Sequence, residues 1–133
     1  MVRYASGLAA NPADTYRQID IVGRTQGADS HTLVGLLYEE AVGALRSAAW
    51  AAENGRLAVK SERVTRATAI LFALEAGLDF DKGGEVSRTL AGFYHSLRGE
   101  IVQASLGTDP EPFRAAAASL EEIAAAWASL RAA

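Results

Sequence analysis

The fold is decided by the stretch VTRATAILFALEAGL, residues 64–78. Its apolar residues follow one another at intervals of three, four, three and four positions, at Val64, Ala67, Leu71, Leu74 and Leu78. This spacing puts them on one side of an α-helix and is typical of a helix packed in a bundle. We therefore predict a helix over about Leu57 to Gly77 with this stripe facing the core.

Three more long helices are predicted around it. The first covers about Ser30 to Glu53, with Asn54-Gly55 as its C-cap, and the third about Glu85 to Leu106. The fourth begins with Asp109 as N-cap and Pro110 as its first residue. Short connections between helices of this length favour an all-α, antiparallel four-helix bundle. The apolar stripes are Leu33, Leu37, Ala41, Ala44 and Ala48 in the first helix; Val86, Leu90, Phe93, Leu97, Ile101 and Ala104 in the third; and Phe113, Ala116 or Ala117, Leu120, Ile123, Ala124, Trp127 and Leu130 in the fourth.

A leader precedes the bundle. Asn11-Pro12 is a helix-start signal, and it predicts a short amphipathic helix over about residues 12–22 that carries Tyr16, Ile19 and Ile21 or Val22. We therefore divide the chain into a leader, residues 1–28, and a bundle, residues 29–133.

Composition excludes several classes of protein. The 133 residues contain no cysteine, which removes disulfides and thiol chemistry. A net charge of −3, from 13 Lys and Arg against 16 Asp and Glu, argues against binding to nucleic acid. No apolar run approaches the ~18 residues of a membrane span, and no secretory signal is evident, so we expect a soluble cytoplasmic protein.

Little in the sequence indicates catalysis. Neither His31 nor His95 has the glutamate three residues before it that a di-iron bundle requires, so we expect no metal site. One alternative remains: His95-Ser96-Leu97-Arg98-Gly99 resembles the His-x-Leu-Lys-Gly signature of histidine phosphotransfer domains, which are also four-helix bundles. Glu100 would repel a phosphoryl group there.

The connection between the second and third helices reads AGLDFDKGGEV, residues 76–86. It resembles the signature segment of the FliS family of flagellin export chaperones, in which Leu-Asp is followed by an acidic residue and Lys-Gly-Gly-Glu-Ile/Val. The resemblance extends over about Tyr16 to Leu130, and Leu37-Tyr38-Glu39 resembles the family's Leu-Tyr-Asp/Glu. The chain departs from the family pattern at Ser30, Gly35, Glu40, His95, Gly99 and Glu100.

The resemblance implies a cytoplasmic export chaperone without cofactor or catalysis. Its partner would be the C-terminal region of flagellin, bound near one to one. Covering that region would prevent premature polymerisation and keep flagellin competent for flagellar type III export, with the export apparatus as an indirect partner. No nucleic-acid or membrane partner is expected, and self-association stays open.

Two sets of residues are expected to matter. Asp79, Lys82, Gly83, Gly84 and Glu85 would have an architectural role, since both glycines supply backbone angles that other residues adopt reluctantly and Glu85 opens the next helix. The resemblance also implies that the N-terminal segment lies against the client groove and shifts when flagellin binds; the alternative is a fixed fifth helix that only completes the core. The residues expected to bind the client are Tyr16, Ile19, Val22, Leu33, Leu36, Leu37, Tyr38, Phe93, Tyr94 and Leu97.

Overall fold

A computed structural model describes residues 30–132, which form four helices. They are α1 (Ser30–Glu53), α2 (Leu57–Ala76), α3 (Phe80–Ala104) and α4 (Glu111–Ala132). Helix α1 packs against α2 and α4, whereas α3 packs against α2 and, least extensively, against α4. The predicted all-α four-helix bundle is confirmed. The short helix predicted over residues 12–22 and the boundary near residue 28 lie outside the described residues.

The predicted capping residues lie at the C-terminal end of α1 and at the N-terminal end of α4. Gly55 has a φ of 66°, and the Arg56 amide donates to the carbonyl of Ala51 at 2.8 Å, which closes α1 in a Schellman motif. The Asp109 carboxylate accepts a hydrogen bond of 2.9 Å from the Glu111 amide. The start of α4 lies one residue later than predicted, at Glu111 rather than Pro110.

The connection before α3 differs from its prediction. We expected a turn over residues 79–84 and a helix from Glu85 to Leu106, but α3 already begins at Phe80 and ends at Ala104. Asp79 caps this first turn by accepting from the Lys82 amide at 2.9 Å. The helix then breaks at Gly84, whose φ of 50° and ψ of −121° are not helical. The periodicity of apolar residues cannot reveal a single capped turn, which is why the prediction was wrong here.

The two glycines of this connection have different roles. The prediction of unusual backbone angles is confirmed for Gly84 and wrong for Gly83, whose φ is not positive. A side chain at Gly83 would instead collide with the hydroxyl of Ser87. That hydroxyl is buried and donates to the Asp79 carbonyl at 2.9 Å, so it holds the capped turn against the rest of α3.

We expect Gly84→Ala to destabilise the protein by about 1–3 kcal/mol, because alanine is strained at a positive φ. The melting temperature should fall by about 4 °C or more. The matched control is Gly92→Ala in the same helix, where an added methyl group meets nothing within 4 Å and should stabilise by about 0.5–1 kcal/mol. Calorimetry of the two variants checks the prediction, and equal shifts of the same sign would contradict it.

The core is made of the predicted stripes, with many alanines among them. Leu37, Leu71, Ile101 and Phe113 are fully buried. Toward one end of the bundle, however, two residues of the predicted stripes are exposed: Val86 in α3 and Leu130 in α4. The apolar stripes of these two helices are therefore longer than their buried parts.

Salt bridges join the two helices at three of the four helix–helix contacts. No salt bridge joins α3 to α4 within residues 30–132. Each pair is partly exposed and contributes at most about 1 kcal/mol, so their distribution matters more than their strength. The contact between α3 and α4 is thus the least restrained of the four. The cross-helix pairs are Glu40–Arg66 between α1 and α2, Arg46–Glu121 and Glu53–Arg114 between α1 and α4, and Glu75–Arg98 between α2 and α3.

Candidate functional site

An open apolar groove lies between the first half of α3 and the last half of α4, and we call it the α3–α4 groove. Its volume is about 380 Å³. Val86 and Leu130, each 67% exposed, stand on opposite sides of it. Concave apolar surfaces of this kind bind apolar side chains of a partner. The lining residues are Tyr38, Glu85, Val86, Thr89, Leu90, Ile123, Ala126, Trp127 and Leu130.

The groove is a consequence of how the third and fourth helices pack. Their apolar stripes would face each other in a closed bundle, but α3 and α4 make the least extensive contact in the fold. Leu90, Ile123 and Trp127 are consequently only half-buried, packed against the core on one side and lining the groove on the other.

Trp127 is held by His31 at the start of α1. The His31 Nε2–H group donates to the Trp127 carbonyl at 2.7 Å, and the Trp127 Nε1–H group donates to the His31 carbonyl at 2.8 Å. The two rings are stacked, with centroids 4.6 Å apart and planes 10° from parallel. We call this pair the His31–Trp127 clasp. It joins the first turn of α1 to the end of α4 beside the groove.

Two tyrosines connect the groove to the centre of the bundle. Tyr38 lines the groove, and its ring meets the Trp127 ring edge-on at 6.4 Å. Its hydroxyl is hydrogen-bonded to the Tyr94 hydroxyl at 2.6 Å, across the diagonal between α1 and α3. Burial raises the pKa of the Tyr38 hydroxyl above its usual value, and the hydrogen bond with Tyr94 lowers it by a smaller amount.

This raised pKa predicts a loss of stability in alkali. Above about pH 10 tyrosine in the unfolded chain gives up its proton, whereas folded Tyr38 keeps it. The contribution of Tyr38 is therefore complete below pH 10 and is lost as the pH rises through its raised folded pKa. Urea denaturation at about pH 8 and about pH 11 should show a larger loss of unfolding free energy in the wild type than in Tyr38→Phe. Equal losses would contradict the prediction.

The predicted client-binding residues do not form one surface. Tyr38 lines the groove, while Leu33, Leu37, Tyr94 and Leu97 are buried beneath the surface. Leu36 and Phe93 are half-buried, and Phe93 packs against Tyr94 with ring centroids 5.8 Å apart. Tyr16, Ile19 and Val22 lie outside the described residues.

Sequence reasoning missed most of the groove. Val86, Leu90, Ile123, Trp127 and Leu130 were assigned to core stripes, although they line the open surface. The spacing of apolar residues carried no signal for the groove, because it shows which side of a helix is apolar but not whether a neighbouring helix covers that side.

The residues around His95 do not form the site that the phosphotransfer motif would require. His95 is exposed, but the cation of the motif points elsewhere: Arg98 donates to Glu75 at 2.7 Å and lies over the Phe72 ring at 5.1 Å. Within residues 30–132 no three His, Asp or Glu side chains come close enough to share a metal ion. None of the four described helices is long and apolar enough to cross a bilayer.

Comparison with known proteins identifies the family to which the chain belongs. The family described as "Flagellar protein FliS" matches residues 9–133. The flagellar secretion chaperone FliS of Salmonella typhimurium is 32% identical over 124 residues, which cover 92% of this chain and 88% of the relative. The FliS of Vibrio cholerae is 27% identical over 112 residues, covering 84% and 82%. The secretion chaperone FliSB of Pseudomonas aeruginosa is 27% identical over 112 residues, covering 84% and 89%. A match of this extent, on a four-helix bundle with an open apolar groove, shows that the chain belongs to the FliS family of flagellar proteins.

Proposed function

We propose that this protein is a cytoplasmic flagellar export chaperone that binds the C-terminal region of flagellin, near one to one, in the α3–α4 groove. The observation that carries the proposal is the apolar groove left open between two helices of a bundle. The family and the relatives, which are named flagellar secretion chaperones, support the same role. Binding would prevent premature polymerisation and keep flagellin competent for type III export. No catalysis or cofactor is part of this function.

The groove suits the apolar face of an amphipathic helix. Helix-in-groove recognition places side chains at positions i, i+3 or i+4, and i+7 against apolar walls. Here the walls carry leucine, isoleucine, valine and aromatic side chains, and Glu85 is the single charged residue among those that line the groove. Glu85 already accepts hydrogen bonds from Arg88, so a lysine or arginine of the bound helix would share its carboxylate with that residue.

Affinity requires more than this groove. Ordering each residue of a disordered client costs about 1–2 kcal/mol of backbone entropy, so a useful complex needs an extended, wrapped interface. We include in the proposal that the leader, with Tyr16, Ile19 and Val22, lies against the groove in the free protein and shifts when the client binds.

The decisive experiment is calorimetric titration with three forms of monomeric flagellin: full length, lacking the C-terminal region, and lacking an N-terminal region of the same length. We expect binding near one to one to the first and third forms and none to the second. Undiminished affinity for flagellin without its C-terminal region would overturn the proposal.

Phosphotransfer through His95 is the alternative, and we expect it to fail. His95→Ala should leave flagellin binding unchanged, because this exposed side chain lies outside the α3–α4 groove. Incubation with a phosphorylated receiver domain provides the complementary measurement. Acid-labile phosphate on the wild type, absent from the variant, would favour the alternative.

A further inference from the structure

We propose that His31 is a positioning residue of the α3–α4 groove: it holds the Trp127 indole in one orientation, as a fixed wall against which the apolar face of a bound helix packs. This inference rests on the proposed function and identifies a residue that acts through another, because His31 itself does not line the groove.

The first argument is that several groups contact the Trp127 side chain at once. The Trp127 indole is stacked on the His31 ring, donates its only N–H group to the His31 carbonyl, and meets the Tyr38 ring edge-on. It also lies over the α1 backbone at Gly35, where an added Cβ would come within 4.0 Å of Trp127 Cδ1. An aromatic side chain with these contacts has little freedom to change rotamer.

The second argument is the position of Trp127 in the fold. Trp127 is in the last turns of α4, on the helix pair that makes the least extensive contact. The salt bridges between α4 and α1 lie earlier in α4, at Arg114 and Glu121, so near the end of α4 the hydrogen bonds to α1 are those of the clasp. Loss of the clasp would leave the indole and the end of α4 less constrained on the side where the client is proposed to bind.

The third ground is energetic. A partner that binds a side chain already held in its bound orientation does not have to immobilise it, and this lowers the dissociation constant. His31 provides the stacking surface and one of the two hydrogen bonds, whereas the second hydrogen bond uses its backbone and survives substitution. We therefore expect His31→Ala to weaken binding about tenfold rather than abolish it.

The test uses a Trp50→Phe background, in which Trp127 is the only tryptophan of the chain. Three variants are compared in that background: His31→Ala, His31→Phe, which keeps a ring for stacking, and His95→Ala, which removes the other histidine from an exposed position. For each, calorimetry with a synthetic peptide of the flagellin C-terminal segment gives the dissociation constant. The indole N–H signal in NMR and acrylamide quenching of the fluorescence report the order of Trp127.

The expected result is a broadened indole signal, stronger quenching and about tenfold weaker binding in His31→Ala. His31→Phe should stay within about threefold of the wild type, since stacking is retained, and His95→Ala should change nothing. Two outcomes would overturn the inference: a mobile indole with unchanged affinity in His31→Ala, or weakened binding with an unchanged indole signal. Failure of the background protein itself to bind the peptide would count against the proposed function, and the indole signal would still show whether His31 orders Trp127.

Discussion

Val86→Glu is expected to weaken flagellin binding at least about tenfold, which corresponds to about 1.4 kcal/mol, while leaving the protein folded. Val86 is 67% exposed in the structure and lines the α3–α4 groove. A bound apolar helix would cover it, and a carboxylate at this position would then be buried without a partner, next to Glu85. The unbound protein should tolerate the change, because position 86 is near the start of the helical segment after Gly84, where an acidic residue is favourable.

Val102→Glu is the matched control for this experiment. Val102 is 51% exposed on the same helix and lies roughly 24 Å along α3 from Val86, outside the groove. Calorimetric titration of both variants with flagellin should show normal affinity for Val102→Glu alone, and thermal unfolding should show both proteins folded. Wild-type affinity in Val86→Glu would exclude the groove as the binding site. An equal loss in both variants would mean that the client covers α3 along its whole length.

Leu71→Ala is expected to lower the free energy of unfolding by about 2–5 kcal/mol, the largest effect on stability among the substitutions considered. The Leu71 side chain is fully buried in the core, at the centre of the apolar stripe of α2. Its truncation leaves a cavity that the packed helices close only in part. Since small domains are stable by only about 5–15 kcal/mol, such a loss is a substantial part of the total.

The control for Leu71 is another leucine on α2. Leu57 is 64% exposed, and Leu57→Ala should change stability by no more than about 0.5 kcal/mol. Urea denaturation measures both, and the dependence of the free energy on urea should have the same slope in each. Similar losses at the two positions would mean that the stripe does not form the core.

The helices could be predicted from the sequence because their signals are local. The span of α1, Ser30–Glu53, was predicted at both ends, since the residues that end a helix lie beside it in the chain. The apolar spacing of α2 likewise identified its buried side, from Val64 to Leu74. Errors arose at Gly83 and at the capped turn from Phe80, where only three-dimensional packing distinguishes a short helical turn from a loop.

The groove could not be predicted in the same way. Periodicity shows which side of a helix is apolar but not whether a neighbouring helix covers it, so Val86 and Leu130 looked like core residues. The His31–Trp127 clasp joins residues 96 positions apart, and neither side chain carries a motif that indicates the other. Contacts of this kind depend on the relative placement of whole helices.

The hydrogen bond between Tyr38 and Tyr94 contributes to the axial register of α1 in the bundle. Many of the side chains that α1 buries are alanines, and their methyl groups pack against a neighbouring helix at several heights with similar contact. Sliding α1 by one turn would displace it by about 5.4 Å, far beyond the reach of a hydrogen bond, and would break a buried polar contact. Because Tyr38 also touches Trp127, the register that this bond selects determines the height at which α1 presents its clasp to α4. The hydrogen bond thereby favours one axial position for a helix whose buried side chains are mostly alanine.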